Sequence, residues 1–358
     1  MSTRALPGIK SLQAWFAEVA RDAASVRALR FAVGVTIAIA LAYGVDWPLA
    51  FLFPVLSAVI LALPLPMPTL AAGLRNMLQS LLAFGIGLVF SLFFINFPLA
   101  YILLLGLVLF HLYYYLNRGG SFWFTLMSML AILILPMLAN TADGLATGLA
   151  LGFIGSSWLT VLMLWFAHLL VPDPAGARLP PVSRFQPGYS EIAARSALKS
   201  TVVIFPLACL FIVFDLMDYL LVMVFSAIFI LKPELSQGKL AGRNSLISTV
   251  LGGVCAWVFY WLIVAVPEYH FYIVLMLFTT LLFGMNIFSA KPTAKYYGSA
   301  LVALLVLVNS SMGEGAEFTV LFFQRIALIV LAVLYIVAML KILDSYAPGK
   351  RVEAPRTL

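Results

Sequence analysis

Apolar stretches alternate with short loops along almost the whole chain, and of its 21 lysines and arginines all but one can be placed in every second loop. One side collects Arg4 to Arg30, Arg75, Arg118, Arg178 to Lys199, Lys232 to Arg243, Lys291, Lys295 and Lys341 to Arg356. The opposite loops hold Asp46, Asn96, Asn140, Asp143, Asp215, Asp218, Glu268, Glu314 and Glu317, with no Lys or Arg. Basic residues accumulate in cytoplasmic loops, so this segregation sets an orientation with both termini cytoplasmic and an even number of spans. The exception is Arg325.

Composition excludes the water-soluble classes. The chain of 358 residues is 64% hydrophobic and 10% charged, with a mean hydropathy of +1.09, whereas a soluble domain carries roughly a quarter charged residues. The expectation is an all-α, multi-pass protein whose partner is the lipid bilayer. The formal net charge of +7 follows from the cytoplasmic loops, so no nucleic-acid partner is expected. Cys209 and Cys255 both fall in apolar stretches, which argues against a disulfide framework. The first 27 residues are mixed and basic, without the apolar core of a secretory signal.

Twelve spans are expected, at 28–45, 49–63, 70–95, 97–116, 121–138, 145–170, 197–214, 219–232, 245–266, 271–290, 296–308 and 318–341. Several are shorter than the roughly 20 residues a perpendicular helix needs. Short or broken helices suit a transporter, where irregular backbone can line a cavity. Pro54, Pro136 and Pro206 sit in or near spans and are expected to bend them. The segment 1–27 reads as an amphipathic entry, with Leu12, Trp15, Phe16, Val19 and Val26 at helical spacing, for the inner leaflet or a protein surface.

The two halves align at a shift of 169 residues. Ala28-Leu29-Arg30 meets Ala197-Leu198-Lys199, Asp46 meets Asp215, Ser57-Ala58 meets Ser226-Ala227, Pro64 meets Pro233 and Asn140 meets Asn309. With one residue slipped, Ala72-Gly73-Leu74-Arg75-Asn76 meets Ala241-Gly242-Arg243-Asn244. Apolar coincidence does not keep charged and small polar residues in step. The expected architecture is therefore two parallel six-helix repeats, 28–170 and 197–341, joined by a cytoplasmic linker, 171–196, and followed by a tail, 342–358.

These recurring features resemble the fusaric acid resistance and aromatic acid exporter superfamily, which itself resembles plant anion channels. The features are the basic start to the first span of each half, the Asp46-Trp47 and Asp218-Tyr219 turns, the proline after the second span and the basic Ala-Gly start to the third. The resemblance implies proton-motive-force-driven export of aromatic or other organic acids across a bacterial inner membrane. It also implies a periplasmic membrane-fusion adaptor and an outer-membrane channel as partners. Larger members carry a soluble domain after each half; here the linker and tail are short. A homo-oligomer is compatible with this class.

Several residues suit an anion pathway. Arg325, next to Gln324, lies about seven residues into the last span, roughly 10 Å deep at 1.5 Å per residue. A guanidinium there can grip a carboxylate in two places; an ion pair with Glu317 or Asp143, or snorkelling to headgroups, is the structural alternative. Asn76 and Ser80, like Asn244 and Ser248, share a helix face, and Arg75 and Arg243 stand at the basic ends of those stripes. Interhelical hydrogen bonding is the alternative use of such stripes. Arg30 and Lys199 are either anion collectors or leaflet anchors. For proton coupling the nearest groups are Asp46, Asp215 and His111, although caps, loops and packing account for them too.

Other motifs have structural readings. Gly144, Gly148 and Gly152 permit close helix packing, Asn117-Arg118-Gly119-Gly120 is a tight turn, and Trp47, Tyr219 and Tyr113 to Tyr115 suit interfacial belts. Gly238-Lys239-Leu240-Ala241-Gly242-Arg243-Asn244 lacks the Gly-Lys-Ser/Thr of a phosphate loop. Three scattered histidines and two cysteines offer no metal set, and no nucleophile elbow stands out. The expected function is secondary export of organic anions, without metal, cofactor or enzymatic chemistry. A passive anion channel and a non-transporting membrane scaffold are the alternatives.

Overall fold

The computed structural model describes residues 22–47, 49–94, 96–141, 144–173, 185–214, 216, 223, 226, 235–311 and 318–346. These residues form eleven helices: α1 Ala23–Gly44, α2 Leu52–Leu61, α3 Leu70–Phe94, α4 Pro98–Asn117, α5 Phe122–Thr141, α6 Leu145–Leu170, α7 Glu191–Val213, α8 Leu235–Ala265, α9 Tyr269–Ile287, α10 Ala294–Ser311 and α11 Phe318–Tyr346. Nine contain windows long and apolar enough to cross a membrane. The protein is an all-α, multi-pass membrane protein. Most of the expected span 219–232 and residues 1–21 of the N-terminal segment lie outside the described residues.

Helix ends depart from the hydropathy reading where polar residues begin a helix. α1 starts at Ala23 because the Asp22 carboxylate accepts from the amides of Ala24 and Ser25. α7 starts at Glu191, inside the expected linker, because the Ser190 hydroxyl accepts from the Ala193 amide. α8 starts ten residues before its apolar stretch; at 1.5 Å per residue its 31 residues span about 46 Å, more than a bilayer core. α11 continues five residues into the expected tail. α2 has only ten residues. Pro136 and Pro206 lie inside α5 and α7, and Pro54 in the first turn of α2.

The chain divides into two compact units, each drawn from both sequence halves. Unit 1 comprises Met1–Ile86, Gly144–Ser183 and Asn244–Ile326; unit 2 comprises Gly87–Asp143, Arg184–Arg243 and Ala327–Leu358.

In unit 1, α1 packs along α9 and is flanked by α2 and α6, while α10 packs on α2 and α9. Phe31, Val35, Ile39, Met276, Leu301 and Leu304 form the apolar centre. Gly284 brings α9 against the Ala28 carbonyl and Phe31. One turn further on, the Thr36 and Thr280 hydroxyls lie 3.1 Å apart. The Tyr43 hydroxyl donates to Asn309 Oδ1 at 2.8 Å, and the Tyr269 hydroxyl to the Ala40 carbonyl at 2.7 Å. Trp158 and Trp165 on α6 donate to the carbonyls of Met77 and Pro68.

In unit 2, α4 packs along α7, with α5 against both. Leu105, Leu109, Tyr113, Ile204 and Ala208 are buried together with Leu328 and Ile336 of α11. The Tyr335 hydroxyl donates to the Val203 carbonyl at 2.6 Å. Tyr113 is fully buried, so the tyrosine run is not wholly an interfacial belt. Asn117 to Gly120 makes the expected turn, with Gly119 at φ 79°.

Candidate functional site

The polar stripes of α3 and α8 both contribute buried groups to unit 1. On α3, Ser80 is fully buried and its hydroxyl donates to the Asn76 carbonyl at 3.2 Å; Asn76 is half-buried and Arg75 exposed. On α8, Ser248 and Thr249 are buried. Asn244 is half-buried, but its side-chain oxygen is fully enclosed and accepts no hydrogen bond. Arg243 is exposed. Among the described residues α3 and α8 do not pack along one another, so the two stripes do not meet as a helix pair.

Gln324 is exposed on α11. Arg325 stands beside it, immediately before the apolar window Ile326–Leu343; its side chain lies outside the described residues, as do Asp143, Asp215, Glu314 and Glu317. Asp46 is exposed in the turn after α1, at φ 49°. Aspartate tolerates this left-handed conformation better than most residues. Gly152 and Gly155 of α6 receive Leu49 and Trp47 from the same turn, while Gly148 faces open space, so only part of the glycine series serves packing.

His111 is exposed, with Nδ1 on the Leu107 carbonyl at 2.8 Å. It borders a cavity of about 500 Å³ with Tyr114, Tyr115, Arg118, Phe124 and Phe185. The Arg118 guanidinium lies 4.7 Å from the Phe185 ring centre and 5.2 Å from that of Tyr114, and donates to the Gln186 carbonyl.

Arg30 and Lys199 occupy matching sequence positions and different surroundings. Lys199 is exposed. Arg30 is only 4% exposed; Nη2 meets Asp173 Oδ1 at 2.8 Å and Nη1 donates to the Val171 carbonyl at 3.3 Å. His168 lies beside this pair, its Nε2 4.0 Å from Asp173 Oδ2. Sequence reasoning passed over Asp173 and His168. The available signal was a basic residue at a span end with a single acid shortly after the sixth span.

A sequence-family model described as a protein of unknown function (DUF2955) matches residues 27–167. No curated protein and no solved structure matches the chain.

Proposed function

We propose that the protein is a secondary exporter of organic anions, aromatic acids among them, acting in a bacterial inner membrane. Two six-helix halves face the same way, with both termini cytoplasmic. The observation that carries this reading is a pair of hydroxyls. Ser57 and Ser226, 169 residues apart, are each at most 1% exposed and, among the described residues, without a hydrogen-bond partner. Inside a bilayer no water repairs such a deficit, and each unpaired polar group costs about 1–3 kcal/mol. Its recurrence at equivalent positions, together with the enclosed Asn244 oxygen, supports a polar route through otherwise apolar helices.

The doubling is supported by helix order and by partner choice. The shift that aligns the halves carries α1 onto α7, and α3 to α6 correspond in order to α8 to α11. The most extensive helix interfaces are α1 with α9 and α4 with α7. Exchanging the halves turns one into the other. The matched family region, 27–167, is nearly one half, which supports the half as the inherited unit. The charge segregation supports the orientation.

In this reading Arg75, Arg243 and the Arg30 cluster draw anions to the cytoplasmic side, Ser80, Asn76, Ser248 and Asn244 line the route, and Arg325 receives the anion near its exit. Proton-motive force drives the cycle. A periplasmic adaptor and an outer-membrane channel complete the path, as the family resemblance implies.

Flux of radiolabelled benzoate in proteoliposomes at pH 8, where little of the acid is neutral and leaky, tests the reading. Accumulation above equilibrium under an imposed proton gradient is expected, and Arg325→Ala should abolish it while the protein still inserts. Flux that follows only benzoate's own electrochemical gradient would make the protein a channel. Absence of flux would favour a scaffold.

A further inference from the structure

The end of α6 holds a cluster that the proposed route uses only for its charge. His168 is 5% exposed, and its Nδ1 lies 2.8 Å from the Leu164 carbonyl oxygen. A carbonyl oxygen only accepts, so the ring hydrogen of the neutral imidazole belongs on Nδ1. That leaves Nε2 as a bare lone pair, enclosed, beside the Leu65 backbone carbonyl and 4.0 Å from a carboxylate oxygen of Asp173, both of which only accept. Lone pair faces lone pair. The arrangement is one proton short: a hydrogen on Nε2 would turn this contact into a charge-assisted bond.

The charge balance gives the proton a consequence. With His168 neutral, buried Arg30 is matched by Asp173 and the cluster carries no net charge. Protonation leaves one positive charge in a site with little water, where an unmatched charge is costly. Arg30 comes from α1, and Asp173 from the segment after α6. The neighbouring α2 and residues 62–69 contain no titratable side chain, nor does the stretch of α9 around Gly284 that packs on α1 here. Arg75 on α3, which meets α6 where Gly73 packs on Trp165, is exposed, and among the described residues Arg30 and Asp173 are the charged groups that act on His168. Asp173 is 23% exposed, which leaves the cluster an open edge.

We infer that Arg30, His168 and Asp173 form a proton-dependent anion site, empty when His168 is neutral and taking one carboxylate-class anion when Nε2 is protonated. The imidazolium bonds Asp173, which frees guanidinium N–H groups of Arg30 for the anion at the open edge beside Asp173. The inference rests on the transport reading for its purpose: a cytoplasmic mouth that captures organic anions more tightly as the cytoplasm acidifies.

Three histidines are present in the chain, and His111 and His270 are exposed. The nitrogen resonances of ¹⁵N-histidine-labelled protein in nanodiscs can therefore be followed individually, with His168→Gln assigning the third. The expected result is a His168 titration between pH 5 and 9 whose midpoint rises with sodium benzoate at constant ionic strength. Above the dissociation constant it should rise by about one pH unit per tenfold benzoate. A His168 that does not titrate there, or a midpoint indifferent to benzoate, overturns the site. Asp173→Asn removes the matching negative charge and should bind benzoate at pH 8 at least about tenfold more tightly than the native protein; equal binding by the folded variant also overturns it. If that variant does not fold, the native titration decides alone. Normal titration with no benzoate flux would end the transport reading and leave the site standing, and flux with an indifferent His168 would do the reverse.

Discussion

Asp22 shows how a single side chain at a membrane boundary sets a helix start. Its carboxylate takes the Ser25 hydroxyl at 2.6 Å and the Ser25 amide at 3.0 Å, which hold its pKa below the ordinary 3.8. Asp22→Ala should destabilise the first turn of α1 by about 1 kcal/mol, seen as faster amide exchange at residues 24–27. Because the folded pKa is depressed, the cap is fully effective above the ordinary value and is lost as pH falls through the lowered one; native and variant exchange rates should converge in acid. A span start placed at 28 by hydropathy misses this cap, since a capping side chain adds nothing to apolar periodicity. The same holds for Asp173: the side of the membrane on which a charge falls does not say which acid matches which base. Gly284 makes a second test. A β-carbon there would sit 2.9 Å from the Ala28 carbonyl oxygen and 3.2 Å from Phe31. Backbone cannot swing aside, so Gly284→Val should cost about 1–3 kcal/mol in detergent unfolding. Gly148→Ala, where nothing lies within 4 Å, should cost no stability and add up to about 1 kcal/mol through helix propensity.

At the scale of elements, the sequence made most helices visible and none of their partners. Spans such as 145–170 coincide with their helices, because a long apolar run between polar loops has one solution in a bilayer. Partner choice is different. Leucine on a helix face packs equally well against lipid or protein, so hydropathy carries no information on which helices meet. The information sits in small and polar residues such as Gly284, Thr36 and Thr280, which look alike at any position of an apolar run. The α1–α9 pairing predicts a cross-link. With Cys209 and Cys255 replaced by serine, Thr36→Cys and Thr280→Cys would place two sulfurs where hydroxyls now lie 3.1 Å apart. Oxidation should abolish maleimide labelling of both in protein denatured before labelling, because Thr36 and Thr280 are buried in the fold, and reductant should restore it. Persistent labelling after oxidation would mean that α1 and α9 are not neighbours at this level.

For the molecule as a whole, the two-part sequence and the two compact units cut the chain in different places. Unit 1 takes α1, α2 and α6 from the first half and α9 and α10 from the second, while unit 2 takes α4 and α5 from the first and α7 from the second. The proposed repeat was legible in charged and small polar residues that keep step over 169 positions. The exchange of partners was not, since a repeat shows which helices are alike and is silent on which of them touch. This interleaving has a direct consequence for folding. A chain ending at Ser183 would present α1 without α9 and α4 without α7, leaving the buried faces of Phe31, Val35, Leu105 and Leu109 and the polar groups of Thr36 and Tyr43 without their native partners. Chains 1–183 and 184–358, expressed together, should therefore co-purify as a stable complex, whereas either alone should be degraded or aggregate. Exchange of partners, rather than mere contact between finished halves, is what makes both chains necessary. Accumulation of residues 1–183 alone as a monodisperse membrane protein would show that the first six helices satisfy one another, and the pairing of α1 with α9 would then be an association of completed units.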